Sequence, residues 1–152
     1  MEITIRRCLI EDANYIYKLN KFSLGYDYPL EKTKEKLEKI LDNNSYRVLV
    51  AVYKGEVVAY IEAHDYESLY QDSLKDIMAL VVAKDFQNMG IGGKLIDRIE
   101  KWARNEGSKG LRLVSREKRQ ETHMFYRKKG FKEIKLQKNF KKYFLNIENE
   151  KQ

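Results

Sequence analysis

The sequence has a single cysteine, Cys8, so no disulfide can form within the chain. We expect Cys8 to be a small, buried hydrophobic residue. The apolar runs are far shorter than the roughly 20 residues that a membrane-spanning helix needs, which excludes a membrane partner. Residues 1–6 include an early acid and lack an apolar signal core. This predicts a soluble protein that stays in the cytoplasm.

Linkers, internal repeats and low-complexity segments are also absent, and 152 residues suit a single domain, 1–152, with a sizeable core. The formal net charge of +7 could indicate nucleic-acid binding. However, the lysines between Lys32 and Lys39 alternate with glutamates, as on a solvated helix face, so nucleic-acid binding is not expected. A more one-sided cluster between Lys132 and Lys142 would suit a phosphate-bearing cofactor, an acidic substrate, or nothing specific.

Strand-like and helix-like stretches alternate, which predicts an α/β domain with a mixed central β-sheet flanked by about four α-helices. Strands are expected at 2–8, 47–53, 56–65, 78–83 and 110–115, with the last strands beginning at Phe131. Helices are expected from Asp12, from Pro29, after the glycines near residue 90, and over 119–129.

The pattern also predicts a helix end, the form of one hairpin and the burial of one strand. Gly25 should end the first helix. The stretch Tyr66–Ser73 is either a loop or the extension of a hairpin. The unbroken apolar run Met78–Ala83 is typical of a strand buried on both faces.

A glycine-rich turn, Gln87–Gly93, follows the central strand and opens an amphipathic helix. Glycines let the backbone approach a ligand closely, and the first amides of a helix have no intrahelical partner, so this turn suits an anion. A Walker A loop would need Ser or Thr at position 95, and a dinucleotide fingerprint would need Gly there. Leu95 excludes both, and Gln-x-x-Gly-x-Gly remains.

This hexapeptide resembles the pyrophosphate loop of the GNAT superfamily of acyl-CoA N-acyltransferases. The residues that match the loop are Gln87, Gly90 and Gly92. A later helix resembles the Phe/Leu-Tyr-x-x-x-Gly-Phe ending found in the same family, and its matching residues are Phe125, Tyr126, Gly130 and Phe131. The two motifs have the order and spacing of that family. Leu24–Tyr26 and Lys138–Lys142 also resemble a GNAT subgroup.

The resemblance implies transfer of an acetyl group from acetyl-CoA to a primary amine, small molecule or peptide, by direct attack in a ternary complex, without a metal. It implies that the pyrophosphate binds the amides of Gln87, Asn88, Met89, Gly90, Ile91, Gly92, Gly93 and Lys94. It also implies that the pantetheine arm pairs with the strand residues Leu80, Val81 and Val82, with the amide near Val82 polarising the thioester. Tyr126 is then the acid that protonates the departing CoA thiolate.

Two positions depart from the family pattern. Arg119 and Thr122 stand where many members have Asn and Ala, so the Asn that usually contacts CoA is missing. Arg119 either binds a cofactor phosphate or stays solvated. His123, in the same turn, is expected to be a surface histidine without a role.

The acceptor and the general base are not named by the sequence. Candidate bases are Asp76, Glu62 and His64, acting directly or through water. Acceptor-flanking loops are expected to contain Tyr26, Tyr28, Tyr66 and Tyr70. A homodimer is expected because members of the resembled family often pair and because edge strands could form the contact. The alternative function is a non-catalytic acyl-CoA-binding sensor or interaction module.

Overall fold

The structure, a computed structural model, describes residues 1–116 and 119–145. The chain forms two units, one from Met1 to Val114 and one from Ser115 onwards. None of the helices in the described ranges is long and apolar enough to cross a membrane.

A five-stranded sheet forms the centre of the first unit, with its strands in the order β1-β2-β3-β4-β5. The strands are β1 Thr4–Arg7, β2 Tyr46–Tyr53, β3 Glu56–Ser68, β4 Gln71–Val82 and β5 Leu111–Leu113. Strands β1 to β4 pair antiparallel, and β5 pairs parallel with β4. The sheet is therefore mixed, and the predicted α/β class is confirmed.

The described residues form four α-helices, the number predicted. They are α1 Ala13–Leu19, α2 Leu30–Leu41, α3 Ile91–Asn105 and, in the second unit, α4 Gln120–Lys128. A π-helical turn, Asn20–Leu24, extends α1. Gly25 ends it in the left-handed conformation with φ +88°, which confirms the predicted glycine stop.

The helices of the first unit cover opposite faces of the sheet. Helices α1 and α2 share one core with alternate strand residues such as Val50, Tyr60 and Val81. Helix α3 contacts β2, β3 and β4. Ile61 follows Tyr60 in β3 and therefore points to the other face, where the α3 core lies. Cys8 belongs to the α1–α2 core with 4% of its surface exposed, as expected.

Asp12 immediately precedes α1, but its side chain does not cap that helix. Its carboxylate accepts the Leu9 N–H at 2.8 Å and both terminal nitrogens of Arg6, at 2.8 and 3.0 Å. Burial raises the pKa of Asp12, but these hydrogen bonds and the Arg6 charge outweigh burial and lower the pKa below its usual range. The residue therefore joins β1 to the start of α1.

Two expectations about strands need correction, and one alternative is settled. Strand β3 runs to Ser68 and β4 begins at Gln71, so the hairpin is extended rather than interrupted by a loop. The run Met78–Ala83 is not buried on both faces: Val81 is buried, whereas Met78 is 54% exposed. In the described residues beyond α4, no strand begins at Phe131, whose N–H instead bonds the Tyr126 carbonyl at 3.0 Å in the helix ending.

Candidate active site

The second half of β4 has an open backbone edge. Strand β5 pairs only with Lys75–Ile77, and within the described residues no strand pairs with the rest of β4 on that side. The Ala83 N–H bonds the Val58 carbonyl of β3 at 2.8 Å. Because successive residues of a strand point their polar groups to opposite sides, Val82 and Leu80 direct theirs to the open edge.

A β-bulge at Met78 marks the start of this open segment. Glu62 lies opposite Ala79 and Ala63 lies opposite Ile77, so Met78 is an extra residue in β4. Bulges bend a strand and shift the alternation of its side chains. After the bulge, Ala79 and Val81 therefore face the α1–α2 side of the sheet.

The predicted anion loop joins β4 to α3. The Gln87 side-chain amide donates to the Val82 carbonyl at 3.1 Å, which ties the loop to the open edge. Asn88 and Gly90 have φ of +62° and +82°, and Gly90 precedes the first residue of α3, Ile91. No side chain caps this helix. Its first amides therefore have no intrahelical partner and suit an anion.

Helix α3 is firmly anchored, which fixes the position of the loop. Ile91, Leu95, Ile96 and Ile99 are each at most 2% exposed. A Cβ added at Gly90 would meet no protein atom within 4 Å. The backbone of the loop at Gly90 is therefore open on the side where a side chain would lie. In the described ranges, no cluster of His, Cys, Asp and Glu could hold a metal.

An open cleft of about 530 Å³ lies beside β4, and we call it the tyrosine cleft. Its lining comes from the end of α1 and the following loop, Asn20 and Leu24–Tyr28, and from Tyr60, Glu62 and Ala79 of the sheet. The Tyr60 hydroxyl bonds the Asn20 side chain, and burial raises the pKa of Tyr60. Ala79 contributes both to this cleft and to the open segment of β4.

The structure brings the three candidate bases onto one face of β3 and β4, but only Glu62 lines the tyrosine cleft. Burial raises the pKa of Glu62, and the positive charges of His64 and Lys36 oppose this shift. A carboxylate with a raised pKa in a cleft is well suited to accept a proton.

Asp76 and His64 are held by other groups. Asp76 forms an ion pair with Arg112 at 3.0 Å. Burial raises the pKa of Asp76, and Arg112 and His64 oppose it. His64 approaches Asp76 at 3.8 Å, and its Nδ1 lies 2.6 Å from the Asp65 carbonyl. Because a carbonyl oxygen only accepts, Nδ1 is the donor there, while Nε2 lies 3.1 Å from the Met78 sulfur.

The second unit contains Tyr126, Arg119 and His123. The Tyr126 ring packs against Phe125 and Phe131, with centroids 5.3 and 5.7 Å away. Burial raises the pKa of Tyr126, against a smaller opposing effect of the Arg119 charge. Tyr126 therefore holds its proton at neutral pH. His123 Nε2 lies 2.7 Å from the Arg116 carbonyl, a hydrogen bond that fastens the start of α4. The roles of Tyr126 and Arg119 toward a cofactor stay predictions.

The expected aromatic residues divide into two pairs. Tyr26 and Tyr28 line the tyrosine cleft. Tyr66 instead lies within β3, where the Arg112 guanidinium sits 4.3 Å from its ring centre. Tyr70 lies in the turn between β3 and β4 and is 83% exposed.

Sequence reasoning missed three residues of the cleft and one beside it. These are Asn20, Asp27, Tyr60 and Arg112. Asp27 had a local signal, because it stands between the two tyrosines directly after the Gly25 helix stop. Asn20 and Tyr60 had none, since they are 40 positions apart and meet only through packing of α1 on β3.

Comparison with known proteins gives consistent matches. The profile of the Acetyltransferase (GNAT) family matches residues 13–131. The chain is 26% identical over 130 residues to an aminoalkylphosphonate N-acetyltransferase of Salmonella typhimurium, which covers 85% of this chain and 84% of that protein. It is 27% identical over 131 residues to an uncharacterized N-acetyltransferase of Chlorobaculum tepidum, with 86% and 76% covered.

The fold also matches solved structures. One is the aminoglycoside N-acetyltransferase AAC(6')-Iy in complex with a bisubstrate analogue, CoA-S-monomethyl-acetylneamine, with a TM-score of 0.84 at 16% identity over 95% of this chain and 100% of that one. The family profile covers the strand, the glycine loop, α3 and α4. The chain therefore belongs to the GNAT acetyltransferase family and is an acyltransferase.

Proposed function

We propose that the protein transfers the acetyl group of acetyl-CoA to a primary amine bound in the tyrosine cleft, by direct attack in a ternary complex. The observation that carries this proposal is that Ala79 lines the cleft and also belongs to the open segment of β4. An amine in the cleft would meet a thioester held along that edge. The names of the relatives, an aminoalkylphosphonate and an aminoglycoside acetyltransferase, support an amine as acceptor.

The glycine loop would bind the cofactor pyrophosphate. Its support is the open space at Gly90 and the free amides that begin α3. The pantetheine arm would pair with the backbone of Leu80 and Val82, as an added strand does at a sheet edge. Arg119 would bind a phosphate of the same cofactor.

The Val82 amide would polarise the thioester carbonyl. The Gln87 side chain already bonds the Val82 carbonyl, so the amide is the group of this residue that is left for a ligand. A fixed donor aimed at the developing oxyanion lowers the barrier without reorganising during the reaction.

Glu62 would accept the proton of the incoming ammonium, directly or through one water. The neutral amine nitrogen would then attack the carbonyl carbon, the C–S bond would break with its electron pair on sulfur, and the new amide nitrogen would lose its second proton to water. Asp76 is less suited, because Arg112 pairs with it. Tyr126 would donate its proton to the thiolate, which its raised pKa permits.

A steady-state assay of CoA thiol release, run with a panel of primary amines, tests the proposal. We expect one or more amines to accelerate thiol release above hydrolysis and to gain an acetyl group by mass spectrometry. If acetyl-CoA binds but no amine is acetylated, catalysis is contradicted and the chain is a binding module.

Assembly and location extend the proposal. We infer that both units form one acetyltransferase domain, because the family match crosses the boundary between them. A cytoplasmic homodimer remains the expectation. Light scattering should find twice the 18.1 kDa chain mass at high concentration, and a particle of 18.1 kDa alone would contradict dimerisation.

A further inference from the structure

We propose, on the basis of the proposed function, that the acceptor is an amine with a second positive charge. Asp27 would hold the second charge at the mouth of the tyrosine cleft, while the reacting nitrogen lies beside Glu62. Acetyl transfer to primary amines in general does not specify the charge of the rest of the acceptor.

The first observation is the charge of the lining. The lining contains two carboxylates, those of Asp27 and Glu62. Among the described residues that line the cleft there is no lysine or arginine. The structure records no ion pair within 4.0 Å for either carboxylate among those residues. The cations that act on Glu62 are Lys36 and His64, and Lys21 packs over the ring of Tyr17 near Asp27, but none of the three lines the cleft. A cationic ligand would therefore supply the missing countercharge.

The second observation is the position of the two carboxylates. Glu62 lies on β3 opposite Ala79, at the sheet end of the cleft. Asp27 lies on the exposed loop after Gly25, and the Tyr17 hydroxyl donates to its carboxylate at 3.2 Å. One carboxylate is thus beside the expected thioester and the other is held in place near solvent. Lys21 packs over the Tyr17 and Phe22 rings on the same side.

The third observation is the pair of exposed rings that flank Asp27. Tyr26 is 55% exposed and Tyr28 is 42% exposed, and both line the cleft. Aromatic faces attract cations and also pack against the alkyl chain that carries them. The rings and the carboxylates therefore favour the same ligand, an aliphatic or amino-sugar amine with a second ammonium.

An acceptor with a negative second group should be disfavoured. A carboxylate or phosphonate near Asp27 would meet a like charge, and no basic residue of the lining could offset it. Charge at the distal end of the acceptor is therefore the property that an experiment should vary.

The test uses three acceptors of matched length with acetyl-CoA: 1,5-diaminopentane, 5-aminopentan-1-ol and 5-aminopentanoate. We expect kcat/KM to fall in that order, with the diamine preferred over the alcohol by about tenfold beyond the factor of two for its two amines. Rising ionic strength should reduce the preference, because salt screens an exposed pair.

Two variants test whether Asp27 causes the preference for the diamine. Asp27→Asn keeps an oxygen for the Tyr17 hydroxyl and should reduce the diamine-to-alcohol ratio to about threefold or less. Asp72→Asn, which removes the same charge at the exposed start of β4, should keep the wild-type ratio.

Several results would overturn the inference. These are equal kcat/KM for the three acceptors, preference for 5-aminopentanoate, a ratio that Asp27→Asn leaves intact, or use of other amines but not the diamine. Acetylation of no amine at all, with acetyl-CoA still bound, would instead overturn the proposed function, and the inference with it.

Discussion

On the α3 face of the β3–β4 pair, the carboxylates of Asp65 and Glu106 bond the ammonium of Lys75, which also lies 4.2 Å from the Trp102 ring centre. On the opposite face, the carboxylates of Asp27 and Glu62 line the tyrosine cleft. The first pair of carboxylates therefore bonds a cation of the protein itself, whereas the second pair lines a cleft that has room for a ligand.

The pKa shifts of the two faces have different consequences. Burial lowers the pKa of Lys75, but the hydrogen bonds that Lys75 donates to Asp65 and Glu106 raise it above its usual value, so the folded state favours the charged group. Burial raises the pKa of Glu62, and nearby charges do not restore it. An ionised Glu62 therefore costs folding free energy, as is common for groups kept for catalysis.

The largest expected effect is on the cleft side. Glu62→Gln keeps the size of the side chain but removes the proton acceptor, so kcat/KM with a good amine should fall by about 10²- to 10⁴-fold near neutral pH. The rate of the variant should recover as pH rises, because the amine then deprotonates in solution. Glu56→Gln, at the exposed start of β3, is the matched control. A variant as fast as the wild type would exclude Glu62 as the base.

The stability of the same variant should change in the opposite direction. The unfolded chain ionises Glu62 at a lower pH than the folded chain, so the wild type loses stability as pH rises from below the usual glutamate pKa of about 4.3. Glu62→Gln lacks this loss. Urea unfolding should therefore find the variant at least as stable as the wild type at pH 7.

Removing the charge of Lys75, which pairs with Asp65 and Glu106, should instead lower the stability. Lys75→Met keeps the stem beside Trp102 but leaves two carboxylates without their cation, and we expect a loss of about 2–3 kcal/mol in unfolding free energy. The carboxylates are 34% and 45% exposed, which limits the loss. Lys101→Met, exposed on α3, should change it by less than about 0.5 kcal/mol. Equal stability of both variants would contradict the comparison.

The proposed proton donor, Tyr126 of the second unit, can be tested with Tyr126→Phe. The ring contacts with Phe125 and Phe131 remain, and only the proton donor is lost. Because a CoA thiolate leaves readily, we expect a decrease of about 10²-fold in the chemical step, with acetyl-CoA affinity unchanged. Tyr143→Phe is the control. A wild-type rate where chemistry limits would make Tyr126 structural.

The smallest expected effect concerns the cofactor loop. Gly90→Val should weaken acetyl-CoA binding by about tenfold or more in calorimetry, because its side chain would extend into the open space above the loop. Gly107→Val has a similar positive φ, +78°, at the other end of α3 and controls for backbone strain of about 1–3 kcal/mol. If the two variants bind acetyl-CoA equally well, Gly90 does not line the phosphate site.

Residues near one another in sequence were sufficient to predict the strand β4, the glycine loop and the helix α3. Gly25 and Gly90 were predictable because left-handed backbone favours glycine locally, and the amphipathic pattern of α3 follows from one helical face. Cys8 was likewise predictable from its type.

The tertiary structure decided the rest. Whether a strand is buried on both faces depends on what packs against it, and Met78, the extra residue at the bulge in β4, is 54% exposed. Asp76 and Glu62 had equal standing in the sequence until Arg112 paired with the former and the loop at Asp27 formed a cleft over the latter. The sequence by itself determined the glycine loop between β4 and α3, because that loop is one contiguous segment. Only packing determined the tyrosine cleft, because its lining comes from segments far apart in the chain.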